Sequence, residues 1–465
     1  MAVEMNTNTL AELKCQLNEA TKQAYVAKIG FAAAAIDASI VDPLEVFTRC
    51  SDVDGMYWER FSEGLAISAM GSVASFECDG ENRFNELSAK WREATGSTTA
   101  RATVDLKYPQ LLGVGVFAFD SYAKVDRVWE PLPRNIWVVP SVVAIRRSGR
   151  QSIQCQVVVD DNNGNFEANS NGLALADEIL SMDVPQGYKE GKLQHLGVEV
   201  EDGLGESWWS ESVETVLREI EEERLEKIVL SRRIAITSSR KIDIFRMLTR
   251  LRDRFPQGAV FAVRRGNHVF IGASPERLVT VNGRKITSNA VAGTSRPSDA
   301  GRKSDGLALV ADPKERHEHA LVVDSLRSVL SPICENLEVP KEPELLILSN
   351  MQHLYTPLTG ILDRPLTVME AVALLHPTPA VGGIPVGTAD ILLRKLEPFD
   401  RGWFAGPVGW MDASGNGEFF VALRSALIES NQAYAYAGCG LVAGSDAKLE
   451  WTESELKMDA VLCAL

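Results

Sequence analysis

Two acidic tetrapeptides, Glu315-Arg316-His317-Glu318 and Glu450-Trp451-Thr452-Glu453, each carry carboxylates three residues apart, the spacing that sets both side chains on one helix face. In the first, that face continues through Val322, Leu326 and Val329, so its acids lie along the stripe that should seek the core. Unpaired buried carboxylates are costly. Acids converging from two distant segments would repel one another unless a hard cation sat between them, and an oxygen-rich, partly hydrated ligand set is what Mg²⁺ prefers. Two solvated helix faces give the same spacing, so the acids alone leave both readings open.

Other residues could move or hold charge. Lys227 opens an apolar run in which a period of two puts Lys227, Val229 and Ser231 on one face and Ile228, Leu230 and Ile234 on the other. In a partly apolar pocket its ammonium is disfavoured, and the amine can act as a base near neutral pH; a strand-end lysine in water is the plainer alternative. Glu276 follows Gly272-Ala273-Ser274-Pro275, where proline ends a strand ladder. Apolar walls would keep its carboxyl protonated, able to hand a proton to a leaving oxygen while Lys227 takes one from a nucleophile; otherwise it is a hydrophilic turn residue. In Phe419 to Ile428, read as one strand, Arg424 shares a face with Phe420, Ala422, Ala426 and Ile428. A guanidinium so directed wants an anion, either a bound carboxylate or one of the chain's own acids. The turns Ala292-Gly293-Thr294 and Gly438-Cys439-Gly440 offer backbone N–H groups without side-chain obstruction.

These residues need elements to hold them. The pattern predicts a helix over 9–24, strands at Leu111 to Phe119 and Ile136 to Ile145, and a long loop or boundary at Asp160 to Asn171. A charged helix follows over Glu206 to Leu225. Strands are expected at Lys227 to Thr237, Ala259 to Val263, His268 to Ala273, Leu278 to Val281 and Arg284 to Ser288, with hairpin turns at Gly266-Asn267 and Asn282-Gly283. Helices recur at 314–331, 366–375 and 388–395, and a strand pair closes around Ala413 to Gly417. Consecutive hairpins imply an antiparallel sheet and an α+β class. The polar stretch Ser295 to Gly306, with Arg296, Arg302 and Lys303, is expected to be a loop that could close over an anion.

Composition narrows the partners. At 465 residues, 45% hydrophobic and 24% charged, the chain can bury a large core as one large domain or two modest ones. A net charge of -15 argues against nucleic acid and against an anionic membrane surface. Seven scattered cysteines without a C-x-x-C pair suit a reducing cytoplasm better than a disulfide framework or a zinc site. The apolar run Gly30 to Val41, broken by Asp37 and lacking a basic flank, is no secretory signal, and no run is long enough to span a membrane.

Taken together, Lys227-Ile-Val-Leu-Ser-Arg-Arg, Gly272-Ala-Ser-Pro-Glu-Arg-Leu, Ala292-Gly-Thr, Lys314-Glu-Arg-His-Glu-His, Met351-Gln-His-Leu, His376-Pro-Thr-Pro-Ala, Phe404-Ala-Gly-Pro-Val-Gly-Trp and Glu450-Trp-Thr-Glu with Lys457 resemble, in order, the chorismate-utilising enzymes. These are the isochorismate, salicylate, anthranilate and aminodeoxychorismate synthases. The resemblance covers residues 205–461, the expected chorismate-binding catalytic region; residues 1–204 resemble the family's variable N-terminal portion only loosely. It implies two large, mostly antiparallel sheets with helices outside. It also implies Mg²⁺ bound by Glu318 and Glu453, with Glu315 and Glu450 acting through metal-bound waters. Arg424 and the Gly438 and Gly440 backbone would receive the enolpyruvyl carboxylate of chorismate, with Lys457, Gly293 and Thr294 completing the anionic grip and His353 lining the pocket.

Within the family, Lys227 resembles the water-activating base of the isochorismate and salicylate branch. Ala292 stands where aminodeoxychorismate synthases often place a nucleophilic lysine, which excludes covalent attack from that position. Ala380 and Phe404 are similar to isochorismate synthases, where relatives carry threonine and tyrosine. The implied activity is therefore Mg²⁺-dependent conversion of chorismate to isochorismate, with no obligatory amidotransferase. Salicylate synthase is the alternative, and a catalytically silent chorismate-binding protein the reading from another class. Oligomeric state stays open, a monomer included.

Overall fold

The computed structural model describes residues 2–27, 30–96, 111–159, 170–183, 197–296 and 302–465. Among these, two large sheets carry the fold, one of twelve strands and one of ten. In the first, the central ladder runs Leu65–Met70, Gly55–Arg60, Ala259–Arg265, His268–Ser274, Ser425–Glu429, Gln432–Leu441 and Lys227–Ser238, every neighbour antiparallel. The second is built around Gln352–Leu362, Lys285–Ser295, Arg277–Asn282, Gly417–Val421, Pro407–Asp412 and Leu112–Phe117. Strands from before and after residue 205 thus share both sheets.

Alternation along the strands explains the layering. In Gly55–Arg60, Met56 and Trp58 turn inward to the layer between the sheets, where Phe261 and Phe270 meet Val114, Trp137, Val279 and Phe419. Tyr57 turns outward to a second core under helices, with Phe47, Leu248, Leu251 and Ile271. The rings of Trp58 and Phe420, one from each sheet, cross edge to face at 5.5 Å. Each such fully buried aromatic contributes about 2–3 kcal/mol.

Most of the expected elements are present, several with shifted ends. The first helix runs Ala2–Ala27, and the charged helix Gly205–Glu221. The strand expected to end at Ser288 continues to Ser295. Two other expectations fail for a shared reason. The apolar run Ile136 to Ile145 is two strands, Asn135–Val139 in the second sheet and Val142–Arg147 in the first, broken at Pro140. Phe419 to Ile428 is likewise Gly417–Val421 in the second sheet and Ser425–Glu429 in the first. Chain that passes between two stacked layers stays largely buried, so its apolar run reads as one strand.

The polar stretch expected as a loop instead enters the helix Arg302–Ala311, which takes in Arg302 and Lys303, while residues 297–301 lie outside the described part. Most of Asp160 to Asn171 lies outside it too; Ser170 opens the helix Ser170–Leu180. Among the described residues, no helix is long and apolar enough to cross a membrane.

Candidate active site

Chain crossings between the sheets build one wall of the site. His268–Ser274 lies in the first sheet and Arg277–Asn282 in the second, so the chain crosses at Pro275 and Glu276. The crossing at Ala422 to Arg424 runs beside it: the N–H of Val421 donates to the carbonyl of Glu276 at 3.1 Å, and that of Ala273 to the carbonyl of Arg424 at 3.2 Å. Both side chains are thereby delivered into one cleft, which they line with Ser231, Gly438, Glu318 and Glu453. Arg424 takes a left-handed φ of 48° to make the turn, so it sits at a strand break rather than on a strand face.

Glu276 is 3% exposed. Burial pushes its carboxyl up to about 7, and the Thr378 hydroxyl, which donates to Oε1 at 3.2 Å, offsets this only in part, as do the charges of Lys227 and Arg424. A carboxylic acid that keeps its proton to neutral pH can donate it. Arg424 is buried, and burial brings it down to about 10. Its Nη2 meets His353 Nε2 at 3.0 Å and Met351 Sδ at 3.1 Å, and its Nε is buried with no partner. Glu453 and Glu276 act on it only through their charges, and among the described residues no carboxylate forms an ion pair with it, so the expected alternative of an internal ion pair does not arise. His353 is held neutral, down to about 3, by burial and by the Arg424 charge. Its Nδ1 lies 3.2 Å from both Thr294 Oγ1 and the Gly293 carbonyl.

The opposite ladder supplies Lys227. Val229 pairs with Gly440 and Ser231 with Gly438, and Val229 and Ser231 line the cleft as the period of two requires. The Lys227 side chain is 1% exposed and its Nζ lies 3.0 Å from Glu318 Oε1. The glycines leave room for these side chains: a Cβ on Gly440 would sit 2.0 Å from Glu318 Oε1, and one on Gly438 2.7 Å from Ser231 Oγ.

Two helices bring the acids. Asp312 caps Pro313–Leu330, accepting from the N–H groups of Lys314 and Glu315, and sets Glu315 and Glu318 one turn apart above buried Val322 and Leu326. Gly293, at φ 75° in a bulge of its strand, turns the Thr294 N–H onto Glu315 Oε2 at 2.8 Å. Asp446 caps Ala447–Leu462, on which Glu450, Glu453 and Lys457 share a face. Burial and the neighbouring Glu453 charge raise Glu450. Burial opposes ionisation of Glu453 too, but the Lys457 ammonium at 2.6 Å outweighs it and holds that carboxyl low. Lys457 also donates to the Gly438 carbonyl at 2.9 Å.

The four acids are thus one cluster, coupled through their charges. Three lysines answer them: Lys227 on Glu318, Lys457 on Glu453, and Lys314 between Glu315 at 3.1 Å and Glu450 at 2.7 Å. An all-oxygen carboxylate set of this kind suits a hard divalent cation. The Cys439 thiol also lies within 4.8 Å of the Glu450 and Glu453 carboxylates, but it donates to the Glu450 carbonyl at 3.1 Å.

Ala380, half-buried, and Phe404 complete the lining, the latter stacked on Tyr436 with ring centres 5.3 Å apart. Sequence reasoning did not single out Thr378, Tyr436 or Lys314. The first and last lie inside quoted motifs, where an unpaired threonine or lysine beside acids was the available signal.

The chorismate binding enzyme family model matches residues 16–465. The chain belongs to this family. It is 33% identical over 445 residues to the salicylate biosynthesis isochorismate synthase of Pseudomonas aeruginosa, covering 93% of this chain and 90% of that protein. It is 30% identical to the isochorismate synthase MenF of Bacillus subtilis, covering 91% of each. Among solved structures of the family, the menaquinone-specific isochorismate synthase MenF of Escherichia coli superposes with a TM-score of 0.77 at 23% identity, over 97% of this chain and 100% of that one. The two-sheet α+β architecture of the chorismate-binding family is thus the fold seen here.

Proposed function

We propose that the chain is an isochorismate synthase, interconverting chorismate and isochorismate. The observation that carries this reading is a carboxyl kept protonated to about pH 7, lining one cleft with a buried guanidinium whose Nε has no partner and acted on by a buried lysine. A buried acid that keeps its proton and a buried amine beside the same cleft can serve as acid and base. The full-length relatives named above agree with it.

In this reading Lys227 takes a proton from water while the water oxygen bonds to C2 of the ring. The ring double bonds shift, the C4–O bond breaks, and Glu276 gives its proton to the departing hydroxyl. Arg424 receives the enolpyruvyl carboxylate with the N–H groups of Gly438 and Gly440, and His353 orients the guanidinium through Nε2. Lys457 and Thr294 close the anionic grip. Glu318 and Glu453, backed by Glu315 and Glu450, would hold Mg²⁺, which when bound supplies fixed positive charge to the ring carboxylate. Holding substrate and acid in register against preorganised charge gives the largest share of such rate enhancements. Water as nucleophile needs no amidotransferase partner, and free cysteines throughout fit a cytoplasmic setting.

Product analysis tests it. Purified protein with chorismate and MgCl₂ should release isochorismate without stoichiometric pyruvate, and EDTA should stop it. Early salicylate with matching pyruvate would make it a salicylate synthase, an amine formed only with ammonia an anthranilate-type enzyme, and no turnover by folded protein a binding protein.

A further inference from the structure

We propose that the ammonium of Lys314 is the resident counter-ion of the acid cluster, which an incoming divalent cation expels into solvent; this rests on the metal reading above. Glu315 and Glu450 are 12% and 3% exposed at the side chain. Left unpaired, buried carboxylates so close together would be strongly destabilising. Lys314 Nζ bridges both, at 3.1 and 2.7 Å.

The three lysines of the cluster differ in freedom. Lys227 is enclosed, its side chain 1% exposed. Lys457 is 13% exposed and also tied to the Gly438 carbonyl. Lys314 is 29% exposed, bonds nothing among the described residues with its ammonium but the two acids, and has a flexible stem that reaches water. It also stands in the first turn of its helix, directly after Asp312 and Pro313, where the positive end of the helix dipole disfavours a cation. The acids alone hold it there. A divalent ion that takes over their charge removes the reason for it to stay.

Calorimetric titration of EDTA-stripped protein with MgCl₂, and thermal unfolding with and without saturating MgCl₂, test this on wild type, K314M and K314Q. Both variants should bind Mg²⁺ roughly tenfold tighter, the equivalent of about 1.4 kcal/mol. They should melt lower than wild type in EDTA, and the gap should close in Mg²⁺. In wild type, acylation of lysines read by peptide mass spectrometry should show Lys314 becoming more reactive on Mg²⁺ saturation while Lys227 and Lys457 stay protected. This readout stands even if the variants fail to fold. Unchanged affinity, a stability gap that persists in Mg²⁺, or an unchanged Lys314 reactivity overturns the proposal. No saturable Mg²⁺ heat in wild type would instead overturn the metal reading beneath it.

Discussion

Replacing Glu276 by glutamine should abolish turnover and yet stabilise the protein at alkaline pH. A carboxyl whose folded value lies above its unfolded one favours the native state fully at low pH and loses that advantage as pH rises through the folded value. For Glu276 the window runs from its ordinary 4.5 to about 7. A displacement of that size corresponds to roughly 3 kcal/mol, and burial leaves little solvent to screen it. Glutamine carries no ionisable group and can still accept from Thr378 through Oε1. Wild type and variant should therefore melt together near pH 4.5 and diverge as pH rises, the variant being more stable by up to about 3 kcal/mol above pH 7. Unsatisfied amide hydrogens would lower the whole curve of the variant without changing the divergence.

The assay is thermal unfolding of both proteins in EDTA across pH 4.5 to 8.5 at fixed ionic strength, beside chorismate turnover in each direction. The same proton sets the rate: in wild type the acid must be protonated, so turnover should fall above about pH 7. Parallel stability curves would mean that Glu276 ionises normally, and the acid assignment would fall. Reverse flux from isochorismate surviving in the variant would remove its catalytic role.

Lys227→Ala should lower turnover at least about 100-fold, the scale of a lost general base, while chorismate still binds in a calorimetric titration; a near-normal rate would end its role as base. Thr378→Val removes a donor that favours the Glu276 carboxylate, so the alkaline limb of the rate profile should move to higher pH, and a downward move would contradict the assignment. Gly440→Ala would place a methyl 2.0 Å from Glu318 Oε1 and force that carboxylate to shift; Mg²⁺ binding should weaken, and an unchanged Mg²⁺ titration would show that the position of Glu318 Oε1 does not matter for the cation.

What the sequence made legible is what short-range periodicity encodes. Carboxylates at i and i+3 on a capped helix must share a face, so Glu315 with Glu318 and Glu450 with Glu453 could be paired before any fold was known. A period of two likewise put Val229 and Ser231 on the cleft side of their strand. The crossings could not be read this way. Their residues leave one sheet and enter the other largely buried, so hydrophobicity carries no clear mark of the break, and Arg424 was set on a strand face when it occupies a left-handed turn. Pro275 marked the crossing that holds Glu276 because a ring without N–H cannot continue a ladder; Leu423 and Arg424 carry no such signal. The counter-ions were hidden for another reason. Lys227 meets Glu318, and Lys314 meets Glu450, across separations that only tertiary packing closes. Local pattern therefore located the groups that do the chemistry, while the groups that keep them chargeable, Thr378 beneath Glu276 and the lysines against the acids, follow from the way two sheets and two helices meet.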